Sequence, residues 1–84
     1  MMNVTKFGYN LSVDIHGMTV MEAKKELIAL ITKCDKDTKE IDVIHGYQGG
    51  QALLNLVRKE LKHPRLVKRI LSMNNGVTTL VIKP

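Results

Sequence analysis

The chain has 84 residues, of which 44% are hydrophobic and 25% charged, and it carries a formal net charge of +5 with a single cysteine. These are the proportions of an ordinary soluble globular protein, and the length allows one domain, which buries about 60–65% of the surface exposed by its unfolded chain. The longest apolar run, Leu27 to Ile31, is too short for a membrane span. Met1 to Ser12 lacks the apolar stretch of a secretory signal and Cys34 has no partner for an internal disulfide, so the expected location is cytoplasmic and reducing.

Residues 1–10 read as an N-terminal extension and residues 11–84 as the domain. From Tyr9 to His16, Leu11, Val13 and Ile15 fall on one side while Asp14 and His16 share the other, the two-residue period of a strand. Gly17 frees a turn, and Thr19-Val20-Met21-Glu22 fits a capping box, so a helix is expected from Val20. Its apolar stripe is Val20, Ala23, Leu27, Leu30, Ile31 and Cys34. After the polar connection Asp35 to Lys39, Ile41 to His45 reads as a second strand ending on Gly46. A strand, a helix and a strand in succession imply a crossover with parallel strands.

A second helix is expected from about Gly50 to Lys62, with Leu53, Leu54, Val57 and Leu61 buried and Pro64 as its stop. Leu66 to Met73 and Val77 to Lys83 follow as two strands around Asn74-Asn75-Gly76, residues that tolerate positive φ in a hairpin. The expected fold class is α/β, a two-layer βαβαββ sandwich with two helices on a mixed four-stranded sheet.

Ile-His-Gly occurs twice, at 15–17 and 44–46, each time at the end of a strand and before a helix. Ligands of open α/β sheets bind beyond the carboxyl ends of parallel strands, where helix N-termini present free N–H groups. Asp14, His16 and His45 are therefore candidate catalytic residues beside the glycine-rich turn Gly46-Tyr47-Gln48-Gly49-Gly50, where a phosphate is expected to fit. The structural alternative is that both imidazoles only tie down strand-to-helix turns. Likewise Tyr47 either stacks on a base or packs over its own loop, and the glycines either face a ligand or serve turn geometry.

Charge is concentrated. From Arg58 to Arg69 six basic residues oppose Glu60 alone, which accounts for the whole net charge. Such a run is the footprint of a polyanion-binding face, and Arg58, Lys62, Arg65 and Lys68 are candidate nucleic-acid contacts. Basic residues near a helix C-terminus also complement its dipole, which is the competing explanation. No Cys/His spacing points to zinc and no Gly-Lys-Ser/Thr to a nucleotide, so no metal or cofactor is expected.

Val13-Asp14-Ile15-His16-Gly17, followed by Met18-Thr19-Val20 and an amphipathic helix, resembles the L-D-L-H-G-x-T signature of the Smr (small MutS-related) domain family. The family's second motif, a strand ending in His-Gly-x-Gly or Thr-Gly-x-Gly, is similar to Val43-Ile44-His45-Gly46 and the loop beyond. Its Gly-x-Thr at the last strand is similar to Gly76-Val77-Thr78. The resemblance runs from about Leu11 to Ile82. It implies a fold like the C-terminal domain of a bacterial translation initiation factor, with sheet order 1-2-4-3 and the fourth strand antiparallel.

It also implies nucleic-acid binding and, in some members, endonuclease activity on DNA or on RNA, including messenger RNA on stalled ribosomes. Carried over residue by residue, the catalytic signature falls on Asp14 and His16, with Gly46 in the nucleic-acid-facing loop and Gly17 a further candidate nucleic-acid contact. One position departs: the second glycine of Gly-x-Gly falls on Gln48, and fitting Gly49 or Gly50 instead lengthens the loop.

The chemistry of these residues favours RNA. A histidine is the usual general acid or base near neutral pH, and RNA brings its own nucleophile in the 2′-hydroxyl, whereas DNA needs activated water, most often on a metal. The expected function is an endonuclease cleaving RNA by His/Asp acid–base chemistry. Its alternatives are a DNA-nicking enzyme on branched or single-stranded DNA, or a non-catalytic nucleic-acid- or ribosome-binding module that has lost turnover at Gln48.

Overall fold

The structure, a computed structural model, describes residues 2–47 and 51–84. Strand β1 is Asn3–Phe7 and β2 Asn10–Asp14; helix α1, Val20–Lys33, leads to strand β3, Glu40–Ile44. Helix α2, Ala52–Asn55, runs directly into a π-helical segment, Leu56–Glu60, and strands β4, Leu66–Leu71, and β5, Val77–Ile82, complete the chain. The strands form one sheet in the order β1-β2-β3-β5-β4.

The sheet has five strands where four were expected. The added strand is β1, which lies in the N-terminal extension and pairs antiparallel with β2, so that Asn3 stands opposite Asp14 and Phe7 opposite Asn10. Every residue of β1 is exposed, so it carries no apolar alternation to read. The tight return through Gly8, at φ +59, and the ladder to β2 define it instead. The other four strands keep the expected relative order, with β2 and β3 parallel and β5 antiparallel to both its neighbours.

One core lies between a single face of this sheet and the helices. Leu11, Val13, Ile15, Ile41, Val43, Leu80 and Ile82 pack with Ala23, Leu27 and Ile31 of α1 and with Leu56, Val57 and Leu61. Complete burial of such a side chain contributes about 1.5–3 kcal/mol. α1 begins at a full capping box: Thr19 Oγ1 accepts the Glu22 N–H at 3.1 Å, and Glu22 Oε1 accepts the Thr19 N–H at 3.0 Å. A side-chain cap of this kind is worth about 0.5–2 kcal/mol.

The second helix departs from regular geometry. The Leu61 N–H donates to the Leu56 carbonyl, five residues back, at 2.8 Å, the bond of a π turn. The wider turn brings Leu56 into the core and leaves Leu53 and Leu54 only partly buried; a stripe drawn at 3.6 residues per turn omits Leu56 for that reason. The expected start at Gly50 lies outside the described residues.

The β4–β5 turn also differs in mechanism. Among the described residues only Gly8, Gly17 and Gly46 have positive φ, so Asn74-Asn75-Gly76 does not use the left-handed region. Instead Asn74 Oδ1 accepts the Gly76 N–H at 2.8 Å and Ser72 Oγ accepts the Asn74 N–H at 3.0 Å. Space at Gly76 is tight, because a Cβ there would stand 3.2 Å from Asn74 Oδ1 and 3.5 Å from Gly46 Cα.

Candidate functional site

The parallel register pairs Asp14 with Ile44 at the ends of β2 and β3, so both Ile-His-Gly stretches emerge at one edge of the sheet. There Gly17 and Gly46 turn the chain at φ +81 and +73, and a Cβ built on Gly46 would lie 3.8 Å from His16 Cβ. The two loops are thus in contact across the edge. A cleft of about 770 Å³ opens between them, bounded by His16, Tyr47, the first turns of both helices and the Asn74–Gly76 turn.

The two histidines occupy opposite environments. His16 has 71% of its side chain exposed, and its Nδ1 is 2.5 Å from Asp14 Oδ1, an oxygen that also accepts the His16 backbone N–H at 3.0 Å. Slight burial acts to raise the Asp14 pKa, but the bonds from the His16 ring and backbone outweigh it and hold the carboxyl below its ordinary value. An ionised carboxylate can only accept, so Nδ1 carries a hydrogen and Nε2 is the ring nitrogen not engaged by Asp14.

His45 is 3% exposed and has both ring nitrogens engaged. Nδ1 faces the Gly46 carbonyl at 2.8 Å and therefore donates to it; Nε2 accepts the Thr78 hydroxyl at 2.9 Å. Thr78 Oγ1 in turn accepts Arg58 Nε at 2.6 Å, while Arg58 Nη2 donates to the Val77 carbonyl at 3.0 Å. Burial lowers the His45 pKa most, the Gly46 bond opposes this, and the Arg58 charge adds to the lowering. His45 is thus a neutral strut. Its own N–H and that of Gly46 both donate to the Gly76 carbonyl, at 2.8 and 3.0 Å, which joins the β3 loop to the start of β5.

The basic segment divides into half-buried arginines that cap carbonyls and exposed lysines. Arg65 donates from Nη1 to the carbonyls of Ile31 at 2.6 Å and Cys34 at 3.0 Å, and from Nε to Lys83 at 2.9 Å. Arg69 donates to the carbonyls of Val57, at 2.7 Å, and Leu61. With Arg58 spent on Thr78 and Val77, all three guanidinium groups satisfy backbone or side-chain acceptors within the fold. Arg58 and Arg65, expected as nucleic-acid contacts, are half-buried and hydrogen-bonded within the fold.

Lys59, Lys62 and Lys68 are exposed. Lys68 pairs with Val81, which pairs with Glu40 opposite Asn10, so it stands four residues from Asp14 along β2, about 13 Å at 3.3 Å per residue. Lys68 is therefore not at the His16 edge.

Of the expected loop contacts, Gly17, Gly46 and Tyr47 lie at the edge, whereas Gln48, Gly49 and Gly50 lie outside the described residues. Met18, Val20, Ala52, Leu53 and Asn74 also line the cleft, although no motif marks them as site residues. The signal for them is positional: Met18 and Asn74 lie in the loops beside Ile15-His16-Gly17 and Gly76-Val77-Thr78, and Val20, Ala52 and Leu53 lie in the first helical turns that follow the two Ile-His-Gly stretches. Among the described residues no three His, Cys, Asp or Glu side chains gather to hold a metal ion, and no helix is long and apolar enough to cross a membrane.

The site is thus an Asp14–His16 couple at the edge of an α+β sheet, between the positive-φ turns at Gly17 and Gly46 and beside the first turns of two helices. The Smr domain family model matches residues 13–79, and the chain belongs to that family, whose members in general bind nucleic acid and in some cases are nucleases. The fold is similar to the crystal structure of the Smr domain of Thermus thermophilus MutS2, with a TM-score of 0.75 and 25% identity, over 87% of this chain and 98% of that one. Comparison with curated proteins gives no match.

Proposed function

We propose that this Smr domain is an endonuclease that cleaves RNA through the Asp14–His16 couple. The observation that carries the proposal is the 2.5 Å bond between His16 Nδ1 and Asp14 Oδ1 on an otherwise exposed ring. The carboxylate fixes the tautomer, leaving Nε2 as the base, and its charge stabilises the imidazolium once a proton arrives. His16 takes the proton of a ribose 2′-hydroxyl as that oxygen attacks the adjacent phosphorus. The 5′-oxygen leaves as the phosphorus–oxygen bond breaks, and the His16 imidazolium returns the proton to it. The products are a 2′,3′-cyclic phosphate and a free 5′-hydroxyl.

His45 takes no part in this proton transfer, because both of its nitrogens are committed within the fold; it supports the Gly46 loop against β5. Binding of the remoter strand falls to exposed lysines such as Lys62 and Lys68, through phosphate neutralisation that is independent of sequence. Single-stranded RNA and DNA of matched sequence, incubated with the protein with and without EDTA, test the reading. RNA cleavage that persists in EDTA and leaves a cyclic phosphate is expected. Products ending in a 3′-hydroxyl, or cleavage of DNA in preference to RNA, would replace it with hydrolysis by activated water.

A further inference from the structure

The cleft beside His16 differs chemically from a phosphate site. Met18, Val20, Ala52 and Leu53 contribute to its wall, and among the described residues none that lines it is a lysine, arginine, aspartate or glutamate. Beyond the His16 ring, a phosphate inside the cleft meets no lysine or arginine among the described residues, whereas a neutral, flat, partly apolar group finds contact on several sides. Tyr47, 46% exposed, borders the same space, where a Cβ on Gly76 would lie 3.6 Å from its Cδ1. Asn74 also lines the cleft; its Oδ1 accepts the Gly76 N–H, and its amide NH2 remains as a donor for the edge of a base. A volume of about 770 Å³ falls within the usual range of about 300–1,000 Å³ for small-molecule sites, enough for a base with its ribose.

We propose that this cleft receives an unpaired nucleobase of the substrate strand, next to the phosphate that His16 attacks. The inference rests on the RNA-cleavage reading and adds a substrate requirement to it: the nucleotide at the cut must be unstacked. A base within a duplex is held by stacking and pairing, and its extraction costs a few kcal/mol, so a paired strand is a poor substrate. The apolar wall supplies the contact area and Tyr47 the stacking face, while Asn74 discriminates among bases.

Two measurements on the intact chain test this. In the first, adenosine and inorganic phosphate are titrated separately into the wild type while backbone amide resonances are followed. Adenosine is expected to move Tyr47, Ala52 and Leu53, and phosphate to leave them in place. Tyr47→Ala should weaken adenosine binding about 5- to 150-fold, the worth of one base–aromatic stack, and Tyr47→Phe should restore it. In the second, a labelled RNA is cleaved alone and after annealing to its complement. The single strand should be cut at least tenfold faster, and Ala52→Trp, which fills the cleft from an exposed helix position, should raise its KM.

If adenosine binds as described but no RNA is cleaved, the cleavage reading fails and the cleft assignment stands. If His16-dependent cleavage is equal on paired and single strands while adenosine leaves the cleft resonances unmoved, the cleft assignment is overturned and the cleavage reading survives. Phosphate moving the same resonances as adenosine would also overturn it.

Discussion

The buried imidazole of His45 accepts the hydroxyl of Thr78 at Nε2, 2.9 Å away, and that same hydroxyl accepts Arg58 Nε at 2.6 Å. Each hydrogen in this chain has one permitted direction, because Gly46 offers the imidazole only a carbonyl and Arg58 offers Thr78 only donors. Removing Arg58 leaves the Val77 carbonyl and Thr78 short of a donor. Arg58→Ala is therefore expected to destabilise the fold by about 1–3 kcal/mol, read from the shift of a urea transition. Arg58→Lys should not restore it, since one ammonium lacks the planar pair of donors that meets both acceptors. Unchanged stability together with impaired RNA binding would instead make Arg58 an interface residue.

His45 also sets a pH dependence. Its folded pKa is lowered, chiefly by burial, so the unfolded chain binds its proton more readily than the folded one. The stability linked to His45 is then fully present above the unfolded value of about 6.5 and is lost as pH falls from there toward the lowered folded value. The melting temperature should decline between about pH 7 and pH 5. His45→Gln, which cannot titrate, should melt lower at pH 7 yet show a flatter profile over that range. An equally steep decline in His45→Gln would assign the effect to another group. Asp14, also lowered, acts in a separate window, losing its contribution only as pH drops below about 4.

Elements with apolar alternation were legible in the sequence, and those defined by pairing or by buried polar bonds were not. Leu11, Val13 and Ile15 announce β2, and Thr19 with Glu22 announces the start of α1, because burial and capping leave periodic traces. β1 has no such trace: its residues are all exposed and the ladder to β2 defines it. The π turn is hidden because Leu56 joins the core only when the helix widens. At the site, the adjacency of His16 and His45 followed from strand order, but their different states did not. Whether an imidazole is exposed beside a carboxylate or enclosed by Thr78 and Gly46 depends on strand β5, more than thirty residues away in sequence from His45. For the same reason a run of like charge gave no sign that its arginines turn inward while its lysines face water.

That division of the basic segment separates stability from binding. Arg65 supplies donors to carbonyls at the C-terminal end of α1 and to Lys83, where its charge also complements the helix dipole. Arg65→Ala should cost about 1–3 kcal/mol of stability. Lys62→Ala and Lys68→Ala should change stability by no more than about 0.5 kcal/mol but weaken RNA binding, lowering the salt slope by about one unit for each phosphate that is no longer neutralised. Fluorescence-anisotropy titrations across a salt series, set beside urea transitions, resolve the two effects. If both lysine variants bind RNA as the wild type does, the exposed charge is only a solvated surface.

The Asp14–His16 couple makes the most demanding prediction. His16 Nε2 is the proposed proton carrier, so His16→Ala should lower RNA cleavage by on the order of 10² to 10⁴, the range of general acid–base catalysis. Its ring is largely exposed, so the fold and most of the binding should survive the loss. Asp14→Asn keeps the shape of the side chain and an acceptor for Nδ1 but removes the charge that stabilises the imidazolium, so cleavage should fall while the melting temperature moves little. The double variant should lose less than the product of the single effects, because the two side chains act on one proton transfer and removal of either disables the unit. A merely structural Asp14, holding the His16 backbone N–H at 3.0 Å, gives the opposite pattern: lower stability in Asp14→Asn with its cleavage rate per folded molecule preserved. Full activity in His16→Ala would remove the site, whatever the behaviour of Asp14.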